Sequence, residues 1–395
     1  MKKEFENMKF AQVTAYARNG KIWDGSKEKP NYLCDSSEMD QTSLGCWTSA
    51  LKGEHIPLSW LAMRGWSRGI YHRYLAPSAK KLYPVGYSVV SKWLLKCFDK
   101  FRNLKYLKKF DVVLAVVHDY DIREMAELVS EIKEMDGRPL VLGALCNTLY
   151  HFREAFKESE KFADFKKFID NCDLFINYYH DALSGYLGLF TDTPIVNFPY
   201  FYPYEFTKTQ HAPREEKEKI IFVSGDTQKT DNVASLLVAK KIQERRPDFI
   251  IEVVERVNTN FEPLEGANYK KVPFLKWIDY LKHTRRVYMI IDMDNTWTFG
   301  RVPRDAAAVG TPCVGVNSGS QTALFPDLVC SDVAGMEKAV DLGIKLIEDE
   351  KFYKMVQNQA LKKLEEYSYE NSIEKLEKLV ENFNRRGNED DGHSR

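Results

Sequence analysis

The feature that most constrains this chain is an alternation. From Phe110 onward, short apolar runs change places with longer stretches of helical periodicity, almost to the end of the sequence. The runs Asp111–Val117, Pro139–Leu145, Asp173–Tyr178 and Thr193–Phe198 are rich in Val, Ile, Leu and Phe. They are short for buried helices and too uniformly apolar for strands wetted on one face. They therefore read as strands covered on both sides, with the helical stretches Ile122–Met135 and His151–Asn171 as crossovers between parallel neighbours. A further strand is expected over Phe10–Ala15. The chain is α/β.

The alternation is interrupted once. Phe198–Tyr204 (FPYFYPY) carries two prolines and five aromatics, and Thr207–Lys219 is polar and charged with no apolar run. A second series follows, with strands expected at Ile220–Val223, Phe249–Val254, Val287–Asp292 and Pro312–Val316. Helices are expected at Asn232–Glu244, Lys276–His283, Pro303–Val309, Val333–Glu348 and Glu350–Phe383. Two domains suit 395 residues, with the boundary between residues 203 and 204. The tail, residues 384–395, is rich in Gly, Asp, Glu and Asn and is expected to be disordered. Open parallel sheets take ligands outside the carboxyl ends of their strands. Two such sheets in tandem are expected to face each other across a cleft, which suits an enzyme with two substrates.

Composition narrows the class. Fifty-seven Lys and Arg balance fifty-seven Asp and Glu, so the chain as a whole is not built for polyanions. Seven cysteines form no CxxC pair, which argues against a disulfide framework or a structural zinc site. No apolar run reaches the ~18–20 residues of a membrane span, and Met1–Glu6 does not resemble a secretory signal. A cytoplasmic protein is expected. The charge is nevertheless uneven. Residues 57–110 hold twelve Lys and Arg against one acid, Asp99, for a net charge of +11, interleaved with aromatics. Within this segment Lys92, Trp93, Lys96, Lys100, Arg102, Lys105, Lys108 and Lys109 read as an amphipathic helix with a basic face, suited to an anionic membrane surface or an anionic acceptor. A nucleic-acid groove ranks behind it. Ordinary packed helices with solvated lysines are the alternative.

The segment Asp292–Leu324 holds the densest chemistry. A strand feeds a loop ending Thr298-Phe299-Gly300, and Pro303 sits in the first turn of the next helix, where its missing N–H is harmless. A helix start offers free N–H groups and a positive dipole end to an anion. Arg301 and Arg304 add charge suited to phosphate, and Asp305 offers a carboxylate to a ribose diol. Gly310 reads as the helix's C-terminal cap.

The pattern Phe299-Gly300, Pro303, Asp305-Ala306-Ala307-Ala308 and Gly310-Thr311-Pro312 resembles the donor-binding signature of GT-B glycosyltransferases of the group 1, family 4-like class. That class carries two glutamates separated by seven residues; Asp305 falls on the second and Trp297 on the first. Ser224–Lys229 resembles the class's loop after the first strand of the C-terminal domain, with Gly225 and Lys229 matching. Val272–Leu275, including Phe274, resembles its base-contacting segment. Residues 367–383 resemble the terminal helix that crosses back to the N-terminal domain. The resemblance covers residues 220–383 and, weakly, the strands from Asp111 to Phe198. It implies two Rossmann-like domains, an acceptor-side one over residues 1–203 and a nucleotide-sugar-binding one over residues 204–366.

At the first domain's strand ends, His118 and Asp119 are the candidate catalytic pair, placed to assist an acceptor hydroxyl as general base. Asn147, Thr148 and His180 occupy equivalent edges. Asp121, Asp292 and Asp294 do not form a metal box, so no metal and no resident cofactor are expected. The nucleotide-diphosphate sugar is a co-substrate. The resemblance implies a metal-independent glycosyltransferase, retaining if the class holds. It would act on a lipid-linked or membrane-proximal glycan, as a peripheral protein of the inner membrane face. A DNA-modifying GT-B enzyme and a silent GT-B-like binding protein are the alternatives. A Rossmann oxidoreductase would need G-x-G-x-x-G, which is absent.

Overall fold

The computed structural model describes residues 8–14, 47–58 except 49, 61, 104–146, 148–179, 181–223, 232–255, 261–275, 277–294, 296–298, 300–331 and 335–392. They form two compact units, each with its own sheet. The second begins at Pro199 and also takes in Tyr178 and Tyr179.

The first sheet contains β1 (Phe10–Thr14), β2 (Glu54–Pro57), β3 (Val112–Val117), β4 (Leu140–Leu145), β5 (Leu174–Asn177) and β6 (Ile195–Asn197). Its order is β2-β1-β3-β4-β5-β6, and every pairing is parallel. All six residues of β3 are buried, as expected of a strand covered on both faces. The register runs Val112↔Leu140 through Val117↔Leu145, so β3 and β4 end level. Helix α1 (Ile122–Lys133) buries Ile122, Met125, Ala126, Leu128, Val129 and Ile132, the stripe that its sequence periodicity requires. The short α2 (Leu149–Phe152), α3 (Ser159–Asp170) and α4 (Ala182–Leu187) complete the unit's described helices from Leu104 on.

The second sheet has the order β12-β11-β10-β7-β8-β9, again all parallel. Its strands are β7 (Glu218–Val223), β8 (Ile250–Val254), β9 (Tyr269–Val272), β10 (Val287–Asp292), β11 (Cys313–Val316) and β12 (Val329–Cys330). Helices α5 (Tyr204–Thr207), α6 (Asn232–Arg245), α7 (Trp277–Arg286), α8 (Arg301–Val309), α9 (Gly319–Leu324) and α10 (Met336–Glu348) belong to this unit. Two more helices, α11 (Glu350–Leu364) and α12 (Tyr369–Gly392), close it.

Three details differ from the sequence reading. The second unit starts before residue 204 because the aromatic junction packs into it: Tyr202 donates its backbone N–H to Tyr367 O at 2.8 Å and its hydroxyl to Asp305 at 2.7 Å. The expected helix Glu350–Phe383 is two helices, broken at Ser368, whose Oγ accepts the N–H of Asn371 at 3.2 Å and restarts the chain as α12. That helix runs on to Gly392, through most of the tail expected to be disordered. Among the described residues no helix is long and apolar enough to cross a membrane.

Candidate functional site

The expected donor segment begins at the carboxyl end of β10. Asp292 is 8% exposed; burial, and then the neighbouring charge of Asp294, raise its pKa to about 8, so it holds a proton at neutral pH. Asp294 organises the loop. Its Oδ1 accepts the backbone N–H and the hydroxyl of Thr296 at 2.9 and 2.6 Å, and its Oδ2 accepts the Thr298 hydroxyl at 2.6 Å. Thr298 Oγ1 in turn accepts the N–H of Gly300 at 3.2 Å. The loop is held by its own side chains, as Asp and Thr tend to do in turns.

Two residues of this loop lie in the left-handed region, Trp297 at φ 55° and Gly300 at φ 70°. Gly300 needs its missing side chain. A Cβ there would lie 2.9 Å from Ser318 Oγ and 3.0 Å from Ser320 Cβ. Trp297 takes the same backbone region as a bulky residue, a strained state, and leaves its side chain 46% exposed. From Gly300 the chain enters α8, with Arg301 part-exposed at the first helical position. At the far end Gly310, at φ 71°, caps the helix through its N–H, as its position in sequence suggests.

Arg304 and Asp305 are not where a ligand would meet them. Arg304 is buried; its Nε donates to Ser320 Oγ at 2.7 Å, and its guanidinium lies over the rings of Tyr200 and Tyr367 at 5.4 and 4.7 Å. Asp305 is fully buried. It accepts the Tyr202 hydroxyl at 2.7 Å, and the Trp277 Nε1–H lies 3.2 Å from each of its oxygens. Burial pushes its carboxyl pKa up, against the opposing pull of Arg301, Tyr202, Trp277 and Arg304. The expectation that Asp305 meets a ribose and Arg304 a phosphate is therefore corrected: α8 turns both side chains inward, where they anchor the helix. Motif spacing carried no sign of Tyr202 or Trp277, which come from elements far away in sequence.

Of the other donor candidates, Phe274 is partly exposed beyond β9. Gly225, Lys229 and Phe299 lie outside the described residues, as do Asn147 and His180. In the basic segment, Lys92, Trp93, Lys96, Lys100 and Arg102 also lie outside them. The described end, Leu104–Lys109, is a short 3-10 helix. There Lys105 and Lys108 are exposed, while Lys109 is engaged within the fold, 2.7 Å from Glu54 and over the Tyr106 ring.

His118 follows β3 directly and is buried. Its Nδ1 lies 3.2 Å from Asp121 Oδ2, and its backbone N–H donates to Asp121 Oδ1 at 2.7 Å. Burial by itself lowers the His118 pKa, but the charge of Cys146, the charge of Asp121 and hydrogen bonds to both outweigh it and raise it to about 10. An imidazolium has no lone pair to take a proton, so the general-base role expected of His118 does not fit this environment. Asp119 is part-exposed in the turn that follows. Thr148 is buried, and its hydroxyl lies 3.2 Å from His151 Nδ1. The partner that sequence reading missed is Cys146, the residue after β4. Its signal was positional: like His118, it stands one residue beyond a strand end. Among the described residues, no three His, Cys, Asp or Glu side chains are grouped to hold a metal ion.

No family model and no curated protein sequence matches the chain. Solved structures do. A sucrose-phosphate synthase from Thermosynechococcus elongatus is 13% identical at a TM-score of 0.60, covering 96% of this chain and 100% of that one. The trehalose-6-phosphate synthase OtsA is 10% identical at 0.63, covering 94% and 99%. A mutant of S. aureus TarM, in complex with Fondaparinux, alpha-GlcNAc-glycerol and UDP, is 13% identical at 0.52. It covers 70% of this chain, which spans only 58% of the TarM length. The fold is of the GT-B type, as the resemblance implies.

Proposed function

We propose that this protein is a glycosyltransferase that moves a sugar from a nucleotide-diphosphate donor to an acceptor hydroxyl. One observation carries the reading. At the carboxyl end of a parallel sheet, Gly300 adopts the left-handed conformation that starts α8, with Arg301 at the helix's first position. The positive dipole end of the helix and a guanidinium there suit a diphosphate. The UDP in the TarM complex agrees with that class of donor.

In this reading the leaving diphosphate rests against Gly300 and Arg301, with Thr298 and Phe299 contributing from the loop and Gly225 and Lys229 from the segment after β7. Catalysis consists largely of balancing the charge that develops on the diphosphate. Arg304 and Asp305 contribute from within by fixing the helix. Phe274 borders the base. Asp119 takes the acceptor's proton, and His118 remains a fixed cation at that edge. The reaction proceeds without a metal, so activity should survive EDTA. The +11 segment of residues 57–110 favours an anionic acceptor, a lipid-linked or membrane-proximal glycan.

A second reading, a binding protein without turnover, is favoured by Trp297, which stands where the resembling class has its sugar-binding acid. A thermal-shift panel of UDP-, GDP-, ADP- and TDP-sugars, followed by hydrolysis and transfer assays on whichever binds, separates the two. Binding with turnover supports the enzyme, and binding without turnover the silent module. No binding of any nucleotide sugar would overturn both.

A further inference from the structure

The loop between β10 and α8 is held through one buried side chain. Asp294 stands two residues past the strand and is 6% exposed. One of its oxygens accepts the backbone N–H and the hydroxyl of Thr296, at 2.9 and 2.6 Å, and the other accepts the hydroxyl of Thr298 at 2.6 Å. The two threonines flank Trp297, so both neighbours of that residue are tied to a single carboxyl group. Thr298 passes the hold onward in two directions. Its Oγ1 accepts the N–H of Gly300, the residue that starts α8, at 3.2 Å. Its carbonyl accepts the N–H of Gly319, the first residue of α9, at 3.3 Å. On the strand side, Met293 donates its N–H to Ser235 Oγ of α6 at 3.0 Å. Asp294 lies between these fastenings and joins them.

The hold has a visible consequence at Trp297. Its φ of 55° lies in the left-handed region, which glycine adopts freely and a bulky residue does not. Such a backbone state persists only where the surroundings over-determine it. The indole is 46% exposed, so the hydrogen bonds on either side, more than burial of the ring, keep the backbone there. We propose that Asp294 is a positioning residue of the donor site: it fixes the β10–α8 loop, against the strain at Trp297, in the form that receives a nucleoside diphosphate before one arrives. The proposal rests on the glycosyltransferase reading above, in which Thr298, Gly300 and Arg301 meet the diphosphate. A loop ordered in advance loses less conformational freedom when its ligand binds, and affinity rises accordingly. Asp294 is itself too deeply buried to meet the ligand. It acts through Thr298, which sets where Gly300 and the first turn of α8 lie.

Calorimetric titration of the intact chain with UDP, GDP, ADP and TDP tests the role. Asp294→Ala should weaken whichever of them binds roughly tenfold or more, the value of a charge-assisted hydrogen bond. Asp294→Asn keeps an oxygen for Thr296 but puts an amide nitrogen where Thr298 finds its acceptor, so it should restore part of the affinity. Two further readouts separate positioning from a general contribution to folding. The first is the fluorescence anisotropy of Trp297, taken as the difference between each protein and its Trp297→Phe counterpart because the chain has seven tryptophans. It should change little when nucleotide saturates the wild type. In Asp294→Ala it should start lower and rise on saturation, as the ligand orders a loop no longer tied. The second compares Trp297→Gly with Trp297→Ala. Both remove the indole, yet only glycine accepts a positive φ freely. With Asp294 in place the glycine variant should have the higher urea midpoint, the reverse of the usual order in a loop, and in the Asp294→Asn background the difference should shrink. This comparison begins from an intact Asp294, so it holds even where Asp294→Ala fails to fold. A Trp297→Ala protein as stable as Trp297→Gly would overturn the proposal. So would a folded Asp294→Ala protein, judged by circular dichroism, with wild-type nucleotide affinity. A wild type that binds none of the four nucleotides would instead overturn the glycosyltransferase reading, and the donor-site role with it, while the Trp297 comparison would still report whether Asp294 strains the loop.

Discussion

Replacing Asp305 by alanine should unfold part of the protein before it weakens any nucleotide. The carboxylate is fully buried and accepts hydrogen bonds from Tyr202 Oη at 2.7 Å and Trp277 Nε1 at 3.2 Å. Alanine removes the acceptor and leaves two buried donors without one, each costing about 1–3 kcal/mol. A small void is added where the carboxyl was. The expected loss is therefore about 3–5 kcal/mol, a large share of the ~5–15 kcal/mol that holds a typical domain folded. Tyr202→Phe removes one donor and leaves Trp277 in place, so its loss should stay near 1.5–3 kcal/mol. The double variant should cost less than the two singles summed, because the residues share one interaction. Urea denaturation followed by circular dichroism measures all three. Because burial raises the Asp305 pKa in the folded state, its contribution is fully present below the unfolded value of ~3.9 and is lost as pH rises through the folded one. The Asp305→Ala deficit should accordingly be larger at low pH than at neutral pH. An Asp305→Ala protein within about 0.5 kcal/mol of wild type, a typical surface effect, would refute this reasoning and return Asp305 to the ligand side.

Arg301→Ala, by contrast, touches a part-exposed side chain and should lower the urea midpoint far less than Asp305→Ala while weakening UDP binding roughly tenfold or more, the value of a charge-assisted hydrogen bond; calorimetric titration with unaltered affinity would remove Arg301 from the donor site. Asp292 titrates near 8 in the fold against ~3.9 unfolded, so it contributes stability that declines as pH rises from about 4 to about 8. Asp292→Asn should flatten that decline, and parallel pH–stability curves for the two proteins would contradict it. Sedimentation with vesicles containing anionic lipid should carry the protein down in a salt-sensitive manner, with little binding to neutral vesicles; salt-sensitive binding to DNA with none to vesicles would instead favour the nucleic-acid acceptor.

Much of the architecture was legible in the sequence because a strand buried on both faces must be apolar at nearly every position. Val112–Val117 and Val287–Asp292 announce themselves for that reason. The strands that went unread, Glu54–Pro57, Tyr269–Val272 and Val329–Cys330, are short and lie at sheet edges, where burial demands less of each residue. The start of α8 was equally local: Gly300, Pro303 and Gly310 each answer a backbone requirement that a few neighbouring residues pose. The direction in which the helix turns its polar residues was not local. Asp305 looked like a ligand because its spacing said so. Tyr202, more than a hundred residues upstream in sequence, and Trp277, on another helix, make it an interior anchor. His118 looked like a base because it ends a strand, and Cys146 and Asp121 make it a cation. In both cases the sequence by itself determined which side chain would stand at which strand or helix end. Only the tertiary structure decided its charge and its partner, because burial and electrostatic coupling depend on distances across neighbouring elements that no linear spacing records.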